Sequence, residues 1–575
     1  MALDPSVSVA KSLFLGNIHE ENITPFPRIK EEEQQTLKLV LDSIDRFMQG
    51  REVDFRKFDE KGVQPEDYIQ SLRELGLFGA IIPEEFEGIG LSNTAYARMM
   101  QQSSYHDAST SLTIGAHSSI GMKGLLLFGS PEQKKKYLPK LATGEMIAAF
   151  CLTEPGSGSD AGSITTKATK NPDGSWTLNG SKIWITNGGI ADFFTVFART
   201  DSEHGKLSAF IVERGFPGVS TGNKEDKMGI RASITTTVEL NNTVVPSGNL
   251  LGEEGHGFRI AMGILNNGRT GLGGGCLGGM KASIVRAVKQ SIERKQFGKS
   301  IAEFNLVKGK IAQMAVETYA GESVVAMVGH YIDSGVEDYS VEAAISKVFV
   351  SECLWRVANE ALQIAGGNGF MKEFPYERLV RDCRINMIFE GTNEILRLYI
   401  GLSGMKDAGQ YLKGLKAAVF NDPIKGFGVL SGYAAKKLSQ LTPFGNDKLS
   451  FVHSALEEEE RVFELYTTRF SRAVEYVLRK YGKDIIGQQF ETARIAEVAI
   501  DLFVGLCILS RVSRRIEERS EKDCHFEILM AKVFTQQAKS RMNQNILRLE
   551  RNEDAELKEL ADHLLKAGKY EWDTV

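Results

Sequence analysis

The apolar residues of this chain change their period along its length, and that change constrains the fold more than any other feature. A 3.6-residue stripe and a two-residue alternation cannot be buried by the same kind of element, so each switch marks a change of architecture. Over residues 31 to about 145 the stripe is helical, with Leu37, Val40, Leu41 and Ile44, then Ile69, Leu72 and Leu75, set among charged residues. Between about 146 and 251 short alternating runs replace it, at 181–186, 193–198, 207–212 and 236–240, separated by turn residues such as Asn171-Pro-Asp-Gly174. Helical patterns return over 258–265, 282–293, 306–332 and 341–365. The pattern predicts a mixed, mainly α chain: an N-terminal helical domain (30–145), a middle antiparallel β domain (146–251) and a C-terminal helical domain (252–400).

Beyond residue 400 the character changes again. Residues 401–450 read as a basic amphipathic linker and 451–575 as an appended helical domain. Over 403–448 seven lysines face three aspartates, a local balance of +4. Phe427, Leu430, Ala434, Leu438 and Leu441 recur at helical spacing beside Lys436 and Lys437, which predicts a membrane-surface helix within 420–445. A helix packed on another subunit and a loop with incidental lysines are the competing readings.

At 575 residues, with 69 basic and 74 acidic side chains, the chain has the size of about two to four ordinary globular domains and no charge excess that would favour nucleic acid. Its six cysteines show no paired metal-ligand spacing and read as free thiols of a reducing compartment. The first thirty residues carry no secretory or Arg-rich targeting pattern. The longest apolar stretch, 498–512, contains Asp501 and Arg511 and is too short to span a bilayer. The expected location is a bacterial cytoplasm, with peripheral attachment to the inner membrane face, or the mitochondrial matrix for a processed chain. No Walker A, Gly-x-Ser-x-Gly or His-Glu-x-x-His motif occurs, which leaves an organic cofactor and no metal. A dinucleotide fingerprint is formally present at Gly273-Gly-Gly-Cys-Leu-Gly278, with Glu293 downstream, but it lies among helical patterns instead of after a strand. Close helix packing explains its glycines better.

Four stretches are polar or glycine-rich where a core would be apolar. Leu152-Thr-Glu-Pro-Gly-Ser-Gly-Ser-Asp160 leaves a strand and bends, offering hydroxyls and open backbone; taken alone it is equally a plain loop. Trp184-Ile-Thr-Asn-Gly188 ends a strand in an aromatic plane beside a hydroxyl, suited to an aromatic cofactor or to a core. Arg294-Lys-Gln-Phe-Gly298 closes a helix with a cation that either caps it or holds a pyrophosphate. In Arg381-Asp-Cys-Arg-Ile-Asn-Met-Ile-Phe-Glu-Gly-Thr-Asn-Glu-Ile395, Glu390 follows Ile388 and Phe389, where apolar neighbours raise a carboxylate toward a general base. A solvated glutamate beside an N-cap threonine is the plainer alternative.

Together and in this order, these stretches resemble the acyl-CoA dehydrogenase family over about residues 30–400. The appended region, Glu-Asn-Ile-Thr-Pro-Phe-Pro27 and Phe374-Pro-Tyr-Glu-Arg378 are similar to its very-long-chain branch and to the relative called family member nine. The resemblance implies a C-terminal domain of four-helix-bundle type and an FAD enzyme that desaturates long-chain acyl-CoA and passes electrons to electron-transfer flavoprotein. It implies Glu390 as catalytic base, with its own amide as a donor to the substrate carbonyl. Phe150, Leu152 and Thr153 are implied along the flavin, Ser159 between flavin and substrate, and Trp184 and Thr186 against the ring. Arg294 and Phe297 are implied to reach the FAD of a neighbouring subunit in a homodimer, Gln363, Gly366 and Gly367 to hold its adenosine diphosphate half, and Thr392 and Glu394 to add FAD contacts. Asn266, Arg269 and Gly391 fall on the substrate side. Gly115, Ala116, Gly121 and Gly124, along the helical stretch 112–127, leave room for a long acyl chain. An acyl-CoA oxidase and a respiratory-complex assembly factor use the same motifs and stand as alternatives.

Overall fold

The computed structural model describes residues 3–200, 205–421 and 449–574, with the backbone alone over 411–421. From residue 422 onward the basic stretch at 420–445 lies outside the described residues. Two compact units form: Met1–Val7 with Thr24–Leu396, and Ser8–Ile23 with Arg397–Val575. Helix α1 (Val9–Phe14) therefore belongs to the second unit.

The first unit opens with α2 (Glu31–Met48), α3 (Glu52–Lys61), α4 (Glu66–Glu74) and α5 (Asn93–His106). Next come α6 (Ala108–Gly115), α7 (Lys123–Phe128) and α8 (Pro131–Thr143). Local chemistry sets their ends: Ser130 and Gln133 form a reciprocal capping box at α8 with Pro131 in its first turn, and Gly144 closes it in the left-handed region. The stretch read as one helix over 112–127 is interrupted by a π-turn, Ala116–Gly121, a feature common near functional sites.

An eight-stranded sheet follows among the described residues: β1 (Ala148–Cys151), β2 (Lys167–Lys170), β3 (Trp176–Thr186), β4 (Phe193–Arg199), β5 (Leu207–Glu213), β6 (Val219–Thr221), β7 (Thr235–Val245) and β8 (Leu250–Leu251). The order is β6-β7-β3-β2-β4-β5-β8, with β1 also on β4. Most pairs are antiparallel as expected, but β1 and β2 both run parallel to β4. The loop after β1 carries the chain back to the same end of the sheet before β2 begins. Strand β4 is buried over Phe193–Ala198 on both faces, because helices as well as sheet neighbours cover it.

Helix α9 (Gly257–Glu293) runs unbroken through Gly273–Gly278, so a continuous helix replaces the nucleotide-binding turn that the glycine spacing mimics. A Cβ at Gly274 would lie 2.2 Å from the Ala97 carbonyl, and one at Gly278 2.2 Å from that of Gln101. The glycines thus let α9 press against α5. A short hairpin, Lys295–Gln296 with Lys299–Ser300, leads from α9 to α10 (Asn305–Asp333), then α11 (Ser340–Ala365), α12 (Gly367–Phe370) and α13 (Tyr376–Cys383). Helices α5, α9, α10 and α11 pack on one another.

Helix α14 (Asn393–Asn421) continues through the start of the segment read as linker. Its glycines there serve packing: a Cβ at Gly401 would meet Thr492, and one at Gly404 the ring of Phe14. The second unit is completed by α15 (Glu457–Tyr481), α16 (Gln489–Glu518), α17 (His525–Leu547) and α18 (Asp554–Ala567). Phe14 meets Phe470 edge-on at 4.8 Å, and Arg494 clasps Asp554 with two hydrogen bonds of 2.6 and 2.5 Å. The six cysteines are buried and no disulfide joins them. Among the described residues no helix is long and apolar enough to cross a membrane.

Candidate active site

Glu390 lies between a 3₁₀ turn, Arg384–Met387, and α14, where the chain has no regular structure. Its φ is +55° and that of Gly391 is +94°, so a glutamate occupies the left-handed region that side chains avoid. Such strain persists only where the surroundings over-determine it. Lys347 of α11 supplies part of that constraint, donating to the Gly391 carbonyl (2.8 Å) and to Asn393 Oδ1 (2.9 Å). Glu390 Oε2 is shut off from solvent and has no hydrogen-bond partner among the described residues. Burial pushes this carboxyl above its ordinary value, opposed by the charges of Arg269 and Lys347. Arg269, buried on α9, donates to Asn266 Oδ1 one turn earlier at 2.6 Å. Nearby, Tyr96 shares a hydrogen bond of 2.9 Å with Ser119, and burial pushes its hydroxyl up to about 12.

The loop after β1 is braced by an ion pair that the sequence reading passed over. Glu154 and Lys182 meet at 2.7 Å with both side chains out of solvent. Lys182 Nζ also donates to the Leu152 carbonyl (3.1 Å), and Glu154 accepts from the amides and hydroxyls of Thr165 and Thr166. These bonds hold Leu152 and Thr153 beside β3, where the Ile183 amide donates to the Thr153 carbonyl at 3.0 Å. Phe150 packs on Phe197 with ring centroids 5.2 Å apart, and Ser159 is exposed on the outer part of the loop. In β3 the register slips against β7 between Lys182 and Ile185, and Trp184 takes φ +56° and is 64% exposed. Core packing, the alternative for this tryptophan, is excluded by that exposure. Thr186 is half-buried, and Asn187, at φ +63°, ties the strand end to α6 by donating to the Thr113 carbonyl (2.9 Å).

The remaining residues lie at helix ends. Arg294 caps α9, and Phe297, at φ +53° on the hairpin tip, is 94% exposed, touching Phe304 edge-on. Gln363 is exposed near the end of α11, and Gly366 (φ +61°) and Gly367 form the turn into α12. Thr392 Oγ1 accepts from the Ile395 amide at the start of α14, and Glu394 is exposed in its first turn. The chain itself therefore assembles Glu390, Gly391, Arg269, Asn266 and Lys347 into one cluster. Leu152, Thr153, Trp184 and Thr186 gather around the β1 loop, and Arg294 and Phe297 project on a separate arm. A Cβ at Gly156, Gly158, Gly366 or Gly367 would meet no protein atom within 4 Å, so these glycines line open backbone instead of filling the core. Around the β1 loop, open backbone at Gly156 and Gly158, hydroxyls and the exposed Trp184 indole are of the chemistry that suits a planar aromatic cofactor ring.

Residues 31–145, 149–243 and 255–404 match the N-terminal, middle and C-terminal domains of the acyl-CoA dehydrogenases. Residues 454–570 match the ACAD9/ACADV C-terminal domain. The chain belongs to the acyl-CoA dehydrogenase family, a family of FAD-dependent oxidoreductases. The very long-chain specific acyl-CoA dehydrogenase, mitochondrial, of Homo sapiens is 46% identical over 535 residues, 91% of this chain and 81% of that one. A probable acyl-CoA dehydrogenase of Bacillus subtilis is 39% identical over 484 residues, 81% and 78% of the two chains. The crystal structure of an acyl-CoA dehydrogenase complexed with FAD from Bacillus anthracis superposes with a TM-score of 0.81 at 33% identity, covering 98% of this chain and 96% of the other.

Proposed function

We propose that the enzyme oxidises long- and very-long-chain acyl-CoA thioesters to trans-2-enoyl-CoA in fatty acid β-oxidation and passes the electrons to an electron-transfer flavoprotein. The observation that carries this reading is the Glu390 carboxylate, held on a strained turn with one enclosed oxygen that has no hydrogen-bond partner among the described residues. A thioester α-proton is weakly acidic, so its base must be desolvated and held at contact distance. In this reading Glu390 takes the α-proton, with burial raising its basicity and the charges of Arg269 and Lys347 opposing that rise. FAD, when bound, supplies the acceptor for the hydride that leaves the β-carbon. The Glu390 amide steadies the charge that develops on the thioester oxygen, with Gly391, Asn266, Arg269 and Ser159 on the substrate side. Phe150, Leu152, Thr153, Ser159, Trp184 and Thr186 hold the flavin ring, and Gln363, Gly366, Gly367, Thr392 and Glu394 the rest of FAD.

The names of the vertebrate relatives support the long-chain preference. Gly121 and Gly124 no longer bear on it, because a Cβ there would strike Ala148 and Ile264 respectively, which makes them packing residues. The exposed Phe297 arm supports a homodimer in which each subunit reaches its partner's FAD. The basic stretch at 420–445 is proposed to seat the enzyme on a membrane surface from the cytoplasmic or matrix side. An anaerobic titration with palmitoyl-CoA and octanoyl-CoA, following flavin absorbance in wild type and Glu390→Gln, tests the reading. Bleaching by palmitoyl-CoA in wild type only is expected; equal bleaching of Glu390→Gln removes the base assignment, and preference for octanoyl-CoA removes the chain length.

A further inference from the structure

Lys347 touches neither substrate nor cofactor in the reaction described above, yet its side chain is wholly buried, at 0% exposure. An ammonium keeps its charge in such a place only where acceptors replace water. The acceptors of Lys347 flank the candidate base in sequence: the carbonyl of Gly391, which follows it, and Oδ1 of Asn393, which opens α14. Asn393 is fixed in turn, its Nδ2 donating to Ser351 Oγ (3.0 Å) and Glu352 Oε1 (3.1 Å) on the same helix as Lys347. Helix α11 thus grips, through hydrogen bonds from Lys347 and to Ser351 and Glu352, the turn in which Glu390 holds positive φ.

We propose that Lys347 is a positioning residue for the dehydrogenation: clamped on Gly391 and Asn393, its ammonium holds the turn that aims Glu390 and keeps a positive charge beside that carboxylate. This rests on the reading of Glu390 as the base. Burial pulls Lys347 down to about 8, with the charge of Glu390 opposing. The charged and titratable groups facing the pair are Arg269 and Cys276 on α9, Tyr96 on α5 and Glu352 on α11. Burial pushes both the Cys276 thiol and the Tyr96 hydroxyl up to about 12, which leaves them neutral at working pH.

The test compares holoenzymes carrying Lys347→Met, Lys347→Arg, Asn393→Ala and Glu390→Gln with wild type. It reads flavin content, the rate of anaerobic bleaching by palmitoyl-CoA against pH, and amide hydrogen exchange across residues 385–396. Lys347→Met is expected to retain flavin and to bleach about 100-fold more slowly. Its acid limb should move up by about one pH unit as the neighbouring charge is lost, with faster exchange in the Glu390 turn. Lys347→Arg keeps the charge and should keep the wild-type midpoint while recovering part of the rate. Lys347→Met with an unshifted limb and unchanged exchange overturns the proposal, as does an equal loss in the Met and Arg variants. Where Lys347→Met does not fold, Lys347→Arg and Asn393→Ala decide: faster exchange with an unmoved midpoint supports the clamp, and unchanged exchange or a moved midpoint refutes it. Full bleaching of Glu390→Gln is a separate outcome, which sinks the base reading and not the geometry of the clamp.

Discussion

Glu154 and Lys182 show how much one buried pair contributes to shaping a loop. Burial alone would raise the Glu154 carboxyl, but the Lys182 charge and hydrogen bonds from Lys182, Thr165 and Thr166 override it and hold it at about 2, against an ordinary 4.5. A carboxyl depressed on folding stabilises the native state fully above its ordinary value and loses that contribution as pH falls from 4.5 toward 2. Glu154→Gln removes the titration and leaves Lys182 buried without its counter-charge. The variant should therefore melt below wild type at neutral pH, with the two melting temperatures converging on acidification. A thermal unfolding series against pH reads this directly, and parallel curves would show that Glu154 does not titrate on unfolding. The pair was hard to see in the sequence, because Lys182 sits in a strand that looks half-exposed and Glu154 in a loop that looks polar throughout. Lys347 was hidden for a similar reason: it resembles any helical lysine until a turn 44 residues later meets it.

The glycines of α9 make the same point for a helix. Each glycine inside a helix costs about 1 kcal/mol relative to alanine, so its retention needs a close contact to explain it. Gly274 has one, with the Ala97 carbonyl 2.2 Å from where a Cβ would sit, whereas a Cβ at Gly309 in α10 would meet nothing within 4 Å. Gly274→Ala should destabilise the protein by about 1–3 kcal/mol through overpacking of α9 on α5. Gly309→Ala should stabilise it by about 0.4–1 kcal/mol, by restricting the unfolded chain. Denaturant melts of the two variants check the opposite signs, and a tolerated Gly274→Ala would mean that the helices are less closely packed than described. Helix positions and the helical, β, helical order were legible in the sequence because apolar period follows directly from which face is buried. Less legible was whatever depends on partners. Strand β4 reads as one alternating run among several and is buried on both faces. The positive φ of Trp184 follows from a register slip against β7, which no local pattern encodes. The stretch around Glu390 was recognisable as a motif, but its strain and the hydrogen bonds that Lys347 makes to it were not.

The extent of the second unit also goes beyond the apolar pattern, because Ser8–Ile23 joins it from the far end of the chain. Short helix α1 buries Val9, Ala10, Leu13 and Phe14 against α15 and α16. Six residues are too few to form a stable helix alone, so α1 owes its order to that packing. Phe14 contributes most: its ring lies edge-on to Phe470 and fills the space left by Gly404. Truncating a buried phenylalanine to alanine costs about 3–5 kcal/mol, a large fraction of a domain's stability. The flavin residues proposed above all lie in the first unit, which has its own core. Phe14→Ala is therefore expected to lower the unfolding transition of the second unit by several degrees, while the temperature at which flavin is released, followed by its fluorescence, moves much less. Calorimetry and flavin fluorescence on the same sample measure both. Equal displacement of the two would mean that the units unfold as one cooperative body and that the appended helices stabilise the flavin site as well as their own fold.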